Sequence, residues 1–161
     1  MTVAPTSARF NRSEWSSAFR NVDEELTDVP LKPVRGAVPD ALRGSLYRNG
    51  PGRLERDGQR VHHPFDGDGM ITALHFDAGG VRCSNRFVRT SGWKEEEAAG
   101  KVLFRGVFGS QKPGGPLANA FDLRLKNIAN TGVVRLGDDL LALWEAAEPH
   151  ALDPQTLETR G

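Results

Sequence analysis

The sequence predicts an all-β fold, on three observations. Its 161 residues include 18 glycines and 10 prolines, a share above the ~12% usual in globular chains, which favours many turns and short strands. Apolar and polar residues alternate with the strand period. Met70, Thr72, Leu74 and Phe76 share one face; Val81, Cys83 and Phe87 share another, with Arg82, Ser84 and Arg86 opposite. Turn residues recur at short, even spacing, at 49–52, 66–69 and 77–80. Strand–turn–strand runs of this kind form β-meanders, which build sandwiches, barrels or propeller blades.

The elements follow in order. Residues 1–40 are polar, end in prolines at 30, 33 and 39, and read as an extended arm with a helical turn near Ser13 to Phe19. Gly44 to Arg48 reads as a strand stopped by Asn49-Gly50-Pro51-Gly52. Gln59 to Phe65 and Met70 to Phe76 read as strands flanking Asp66-Gly67-Asp68-Gly69, where Asp-Gly pairs supply the positive φ of a hairpin turn. Asp77 to Gly80 makes the next turn and Val81 to Thr90 the next strand. Glu-rich Lys94 to Ala99 reads as a short helix, 109–116 as a loop, and Leu117 to Leu125 as a helical turn or two. Strands resume at Gly132 to Leu136 and Leu140 to Glu145, with a final turn at Asp153-Pro154.

Composition narrows the function classes. There are 21 basic and 21 acidic residues, a formal charge of +0, so electrostatics gives no reason to propose a nucleic-acid partner. The single cysteine, Cys83, excludes an internal disulfide framework and suits a reducing cytoplasm. The first twenty residues carry Arg9, Arg12 and Arg20 without an apolar core, unlike a secretory signal. The longest apolar run, Leu140 to Trp144, is too short to span a bilayer.

The candidate chemistry is sparse. His62 and His63 are adjacent and point apart on a strand; His75 lies on another strand and His150 in a late turn, so no spacing predicts convergent metal ligands. Asp66-Gly67-Asp68-Gly69 resembles the start of a calcium loop, but Met70, Ile71 and Asp77 stand where that loop needs a ligand, a glycine and a glutamate. No glycine pair opens a helix in a βαβ unit, so there is no phosphate loop. Cys83 reads as a buried, inert thiol, and no G-x-S-x-G elbow is present. Glu145 ends the most apolar strand, where a buried carboxylate would need partners and an exposed one would simply meet solvent.

Five ordered motifs, Tyr47-Arg48-Asn49-Gly50-Pro51, His63-Pro64-Phe65-Asp66-Gly67-Asp68-Gly69-Met70, Phe87-Val88-Arg89-Thr90, Gly106-Val107-Phe108-Gly109 and Asn127-Ile128-Ala129-Asn130-Thr131, resemble the carotenoid cleavage oxygenases, most of all their bacterial apocarotenoid-cleaving branch. The likeness runs from about residue 30 to the end. It implies a seven-bladed β-propeller that holds non-haem Fe(II) on its axis through four histidines, three of them oriented by glutamates. Neutral imidazoles suit Fe(II), and a carboxylate on the other ring nitrogen fixes the tautomer.

On this likeness the chain is about a third of the family's length: an extended N-terminal arm over 1–40, then an incomplete propeller over 41–161, about the first two blades, with short helical insertions. Glu145, nine residues before Pro154, matches the first of the orienting glutamates. None of His62, His63, His75 and His150 matches an iron ligand; those ligands are expected beyond Gly161, so this chain alone is expected to bind no iron and to be inactive. Leu117 and Phe121 match the apolar rim of the substrate tunnel, which implies peripheral membrane contact. The implied partners are a lipophilic polyene and O₂, and the implied reaction is oxidative cleavage of a conjugated double bond to carbonyl products. A parent enzyme acting on stilbene-like substrates, and a non-catalytic structural or binding module, are the alternatives.

Overall fold

The computed structural model describes residues 13, 14, 17, 19–120, 122 and 124–161. Two antiparallel sheets stack face to face. The first has the order β1-β6-β5-β2, from β1 (Leu26–Leu31), β2 (Gly44–Arg53), β5 (Asp68–Asp77) and β6 (Gly80–Phe87). A small hairpin, β3 (Glu55–Arg56) with β4 (Gln59–Arg60), lies beside it. The second sheet is β7 (Gly132–Leu136), β8 (Asp139–Trp144) and β9 (Ala147–Leu152). Residues 159–161 run on as a further pairing with β9, through Leu152↔Thr159 and hydrogen bonds from Arg160 N to Ala151 O and Ala151 N to Gly161 O. Helices α1 (Ser91–Ala99) and α2 (Gly115–Ala120) lie between the sheets in sequence.

The core lies between the sheets. Ile71 and Ala73 of β5 meet Leu140 and Ala142 of β8, with Leu152, Leu157, Val88 and Ala129 around them and Tyr47 and Val133 packed on the rim. Polar stitches fix the alignment. The Tyr47 hydroxyl donates to Pro154 O at 2.9 Å, and Asn49 Nδ2 donates to Ala129 O and Gly132 O at 2.9 and 2.7 Å. Thr90 caps α1 by accepting from Trp93 N, and Gly100 ends it in the left-handed conformation.

The structure differs from the sequence reading at four places. Leu26–Leu31, inside the segment read as an arm, is the outer strand of the first sheet, paired with β6. The helical turn read near Ser13 to Phe19 is not one of them: its described residues Ser13, Glu14 and Ser17 are helical. Strand β2 continues through Asn49-Gly50-Pro51-Gly52, because an edge strand tolerates proline. Strand β5 pairs with β2 and not with 59–65, whose only strand is Gln59–Arg60. The Asp66-Gly67-Asp68-Gly69 turn therefore closes no hairpin: Gly67 has φ −76 and Gly69 is not in the positive-φ region. Asp57 and Gly58, with φ 50 and 71, make the hairpin turn instead.

Candidate functional site

Glu145 follows the last residue of β8 and enters the turn to β9. Strand alternation buries Leu140, Ala142 and Trp144 and leaves the glutamate exposed. Among the described residues it makes no hydrogen bond or ion pair. The backbone before it is held firmly: Thr131 donates twice to Leu143 O, from N at 3.1 Å and from Oγ1 at 2.9 Å. Trp144 turns inward and lines a small cavity of about 30 Å³ with Asp68, Glu96, Lys126 and Ile128.

Behind that cavity lies a buried ion-pair cluster. Arg56 contacts Asp68 at 2.7 Å, Glu96 at 3.0 Å and Glu97 at 2.8 Å. Lys126 contacts Asp68 at 2.7 Å and Glu96 at 2.6 Å. The other oxygen of Glu96 accepts from Leu103 N and Phe104 N. Burial opposes the Arg56 charge, but Asp68, Glu96 and Glu97 outweigh it, so its pKa stands above the ordinary arginine value. The sequence reading missed this cluster. Arg56 and Glu96 are forty residues apart, and Glu95-Glu96-Glu97 reads only as part of a short Glu-rich helix.

The two aspartates of the Asp66–Gly69 segment diverge. Asp68 joins the cluster; Asp66 accepts from Phe108 N, Ser110 N and Ser110 Oγ and so pins the loop 106–110. The histidines stay apart. His62 packs near Gly109. His63 Nδ1 accepts from Phe65 N, and its ring lies against Phe65 and Phe108. His75 is buried with Nδ1 2.7 Å from Ser45 Oγ. His150 lies 3.4 Å from Asn127 Nδ2. Among the described residues no three His, Cys, Asp or Glu side chains come together as a metal site.

Leu117 lies on α2 and is 85% exposed; Phe65, Val107 and Phe108 are also exposed. Phe121 and Leu123 fall outside the described residues. Beside α2, Asp122 pairs with Arg124 and with Lys112, which together hold its carboxyl well below the usual range. Among the described residues no helix is long and apolar enough to cross a membrane.

The comparisons with known proteins agree with one another. The chain matches the family described as retinal pigment epithelial membrane protein over residues 19–161. It is 48% identical to the apocarotenoid-15,15'-oxygenase of Synechocystis sp., over 99% of this chain and 33% of the relative. It is 36% identical to the isoeugenol monooxygenase of Pseudomonas nitroreducens, over 96% of this chain and 31% of the relative. A solved glutamate-to-glutamine variant of the Synechocystis apocarotenoid oxygenase superposes with a TM-score of 0.89 at 49% identity, covering 94% of this chain and 32% of that one. A cobalt-substituted form superposes at 0.88 with 51% identity, over 92% and 31%. The chain spans about a third of the length of these relatives, and its two sheets are the portion of a β-propeller enzyme that they share with it. This chain belongs to the retinal pigment epithelial membrane protein family, the carotenoid cleavage oxygenases.

Proposed function

We propose that this chain forms the first third of a non-haem Fe(II) oxygenase that cleaves a conjugated double bond of an apocarotenoid to two carbonyl products. The observation that carries the reading is 48% identity along nearly the whole chain to an apocarotenoid oxygenase, with the same fold at a TM-score of 0.89. The 33% identity to a resveratrol cleavage oxygenase of Aspergillus fumigatus makes a stilbene-like substrate the second reading. Iron, when bound, supplies the dioxygen chemistry. The part of this chain is to brace the blade and to present Glu145, whose carboxylate accepts the free ring N–H of an iron-bound imidazole and so fixes its tautomer. The ligand histidines belong to the remainder of the enzyme.

Spacing supports the role of Glu145. Solved variants of the Synechocystis enzyme alter a tryptophan, the glutamate directly after it, and a threonine fourteen residues before that glutamate. Trp144, Glu145 and Thr131 keep the same spacing here. The exposure of Leu117, together with that of Phe65, Val107 and Phe108, supports peripheral membrane contact at the substrate entrance, a role proposed for Phe121 as well. Cytoplasmic placement rests on the free thiol of Cys83.

A chimera tests these readings, with this chain in place of the first third of the Synechocystis apocarotenoid oxygenase. It is expected to bind one iron per molecule and to release two carbonyl products from an apocarotenal. A folded chimera with stoichiometric iron and no turnover of either an apocarotenal or a stilbene would overturn the substrate assignment. Glu145→Gln in that chimera should weaken iron binding about 10- to 100-fold, as loss of a ligand-orienting partner does. Leu117→Asp with Phe121→Asp should abolish flotation with liposomes; unchanged flotation would remove the membrane contact.

A further inference from the structure

We infer that the buried Arg56–Asp68–Glu96–Lys126 cluster is a positioning unit for Glu145; the inference rests on the proposed role of Glu145 toward an iron-bound imidazole. Asp68 and Glu96 are each 1% exposed, and the Arg56 and Lys126 side chains are 7% and 9% exposed. Removing four ions from water is an expensive way to close a core, and an apolar replacement is often as stable. What such a cluster supplies better than an apolar core is direction: the hydrogen bonds of Arg56 to Glu96 and Glu97 and of Lys126 to Glu96 fix their partners in angle and distance, while Asp68 meets Arg56 and Lys126 as an ion-pair partner without a hydrogen bond.

Its four members come from four places: β3, the start of β5, α1, and the connection from α2 to β7. Two routes run from it to Glu145. Through space, Trp144 lines the cavity together with Asp68, Glu96 and Lys126, and Glu145 is the next residue. Along the chain, Lys126 leads into a fully stitched segment. Ile128 O accepts from Gly69 N at 2.7 Å. Ala129 O accepts from Asn49. Asn130 Nδ2 donates to Phe65 O and Gly67 O. Thr131 then grips Leu143 O from two atoms. Lys126 also fits tightly: a Cβ at Gly92 would overlap its side chain. Glu145 has no bond of its own among the described residues, so the aim of its carboxylate is set by the backbone that these two routes hold.

The test uses the complete oxygenase, with Lys126→Met, the near-isosteric Glu96→Gln in case the first does not fold, Glu145→Gln, and each hub variant combined with Glu145→Gln. Iron affinity is read by chelator competition, and the geometry of the centre by the rhombicity of the electron paramagnetic resonance signal of nitric oxide bound as a probe. Lys126→Met or Glu96→Gln is expected to weaken iron binding about tenfold and to shift the rhombicity in the same sense as Glu145→Gln. The double variants should be no worse than Glu145→Gln alone, because the hub acts through that residue. Unchanged affinity and rhombicity in the hub variants, or losses that multiply with that of Glu145→Gln, would overturn the inference while leaving the role of Glu145 standing. An ineffective Glu145→Gln would remove that role, and the inference with it.

Discussion

Gly69 shows how one residue sets the spacing of the two sheets. Its amide donates to Ile128 O at 2.7 Å, and a Cβ there would run into the carbonyl of Ala129. The glycine is required by close backbone approach and not by a turn. Ala129 is itself fully buried with φ 44, a left-handed conformation that costs a non-glycine residue roughly 1–2 kcal/mol. It is held there by the hydrogen bond from Asn49. Gly69→Ala is therefore expected to cost about 3 kcal/mol or more, the upper range of overpacking, read as a lowered urea midpoint; an unchanged midpoint would show that the loop yields. His150 offers a pH test. Burial first, and then the charge of Lys94, push its imidazole below the usual range, against the pull of Glu148. The folded pKa lies below the unfolded value of 6.5, so the unfolded chain takes up the proton first as pH falls. The stabilisation is fully present above that value and is lost as pH drops through the folded pKa. Thermal midpoints measured from pH 7.5 to 5 should fall further for the native chain than for His150→Gln, and parallel falls would count against it. Asp153, also lowered, chiefly by the amides of Thr156 and Gln155, titrates in a more acidic window.

At the scale of elements, buried carboxylates do the work that strand pairing does elsewhere. The stretch between α1 and β7 has little regular structure, yet Glu96 holds 103–104 and Asp66 holds 106–110. Asp66→Ala would leave the buried amide and hydroxyl of Ser110 and the half-buried amide of Phe108 without an acceptor. The expected loss is about 2–4 kcal/mol, from hydrogen bonds to a charged group. Hydrogen exchange should accelerate first at 106–110, while protection of β5 and β6 stays high; uniform acceleration would mean that Asp66 supports the whole sheet. The same contrast governs what was legible in the sequence. Strands β6, β7 and β8 and helix α1 follow from local pattern, since alternation and a Glu-rich run each state their period within a few residues. The course of β2 through Asn49-Gly50-Pro51-Gly52 was not legible, because turn-type residues were satisfied by an edge strand instead of a turn. The strand expected over 59–65 gives way to a bend and a short 3-10 turn at Pro64–Asp66, where proline lacks the amide that strand pairing needs. The ion-pair cluster was beyond local reading altogether: which glutamate of 95–97 turns inward depends on Arg56 and Lys126 arriving from far along the chain. The place of Glu145 at the end of an apolar strand was legible; its proposed role came from the order of motifs, since its surroundings in this chain are solvent.

For the molecule as a whole, each sheet has one covered face and one open face. The shared core takes Ile71 and Ala73 on one side and Leu140 and Ala142 on the other. The opposite face of the first sheet carries Leu31, Leu46, Leu74, Phe76 and Val81; Leu31 and Leu46 are exposed and the others half-buried. The opposite face of the second carries Val134, Leu136, Leu141 and Leu143, with Leu136 69% exposed. In a closed propeller, every such face lies against the next blade. Apolar patches of this kind on a free chain are association sites, and the edge of β2 offers unpaired backbone besides. Two independent apolar faces, rather than one, favour chains of contacts over a closed dimer. The 161-residue chain expressed alone is therefore expected to sediment well above its 17.6 kDa mass at micromolar concentration. Leu46→Lys should block one face and Val134→Lys the other. Either alone should shift the distribution toward dimers and the pair toward monomer, because a terminated face ends growth on that side. A native chain that sediments as a monomer and melts cooperatively would show that these two sheets are self-sufficient. The open faces would then be tolerated surface, and the case for further blades packing against them would rest on the relatives' length alone.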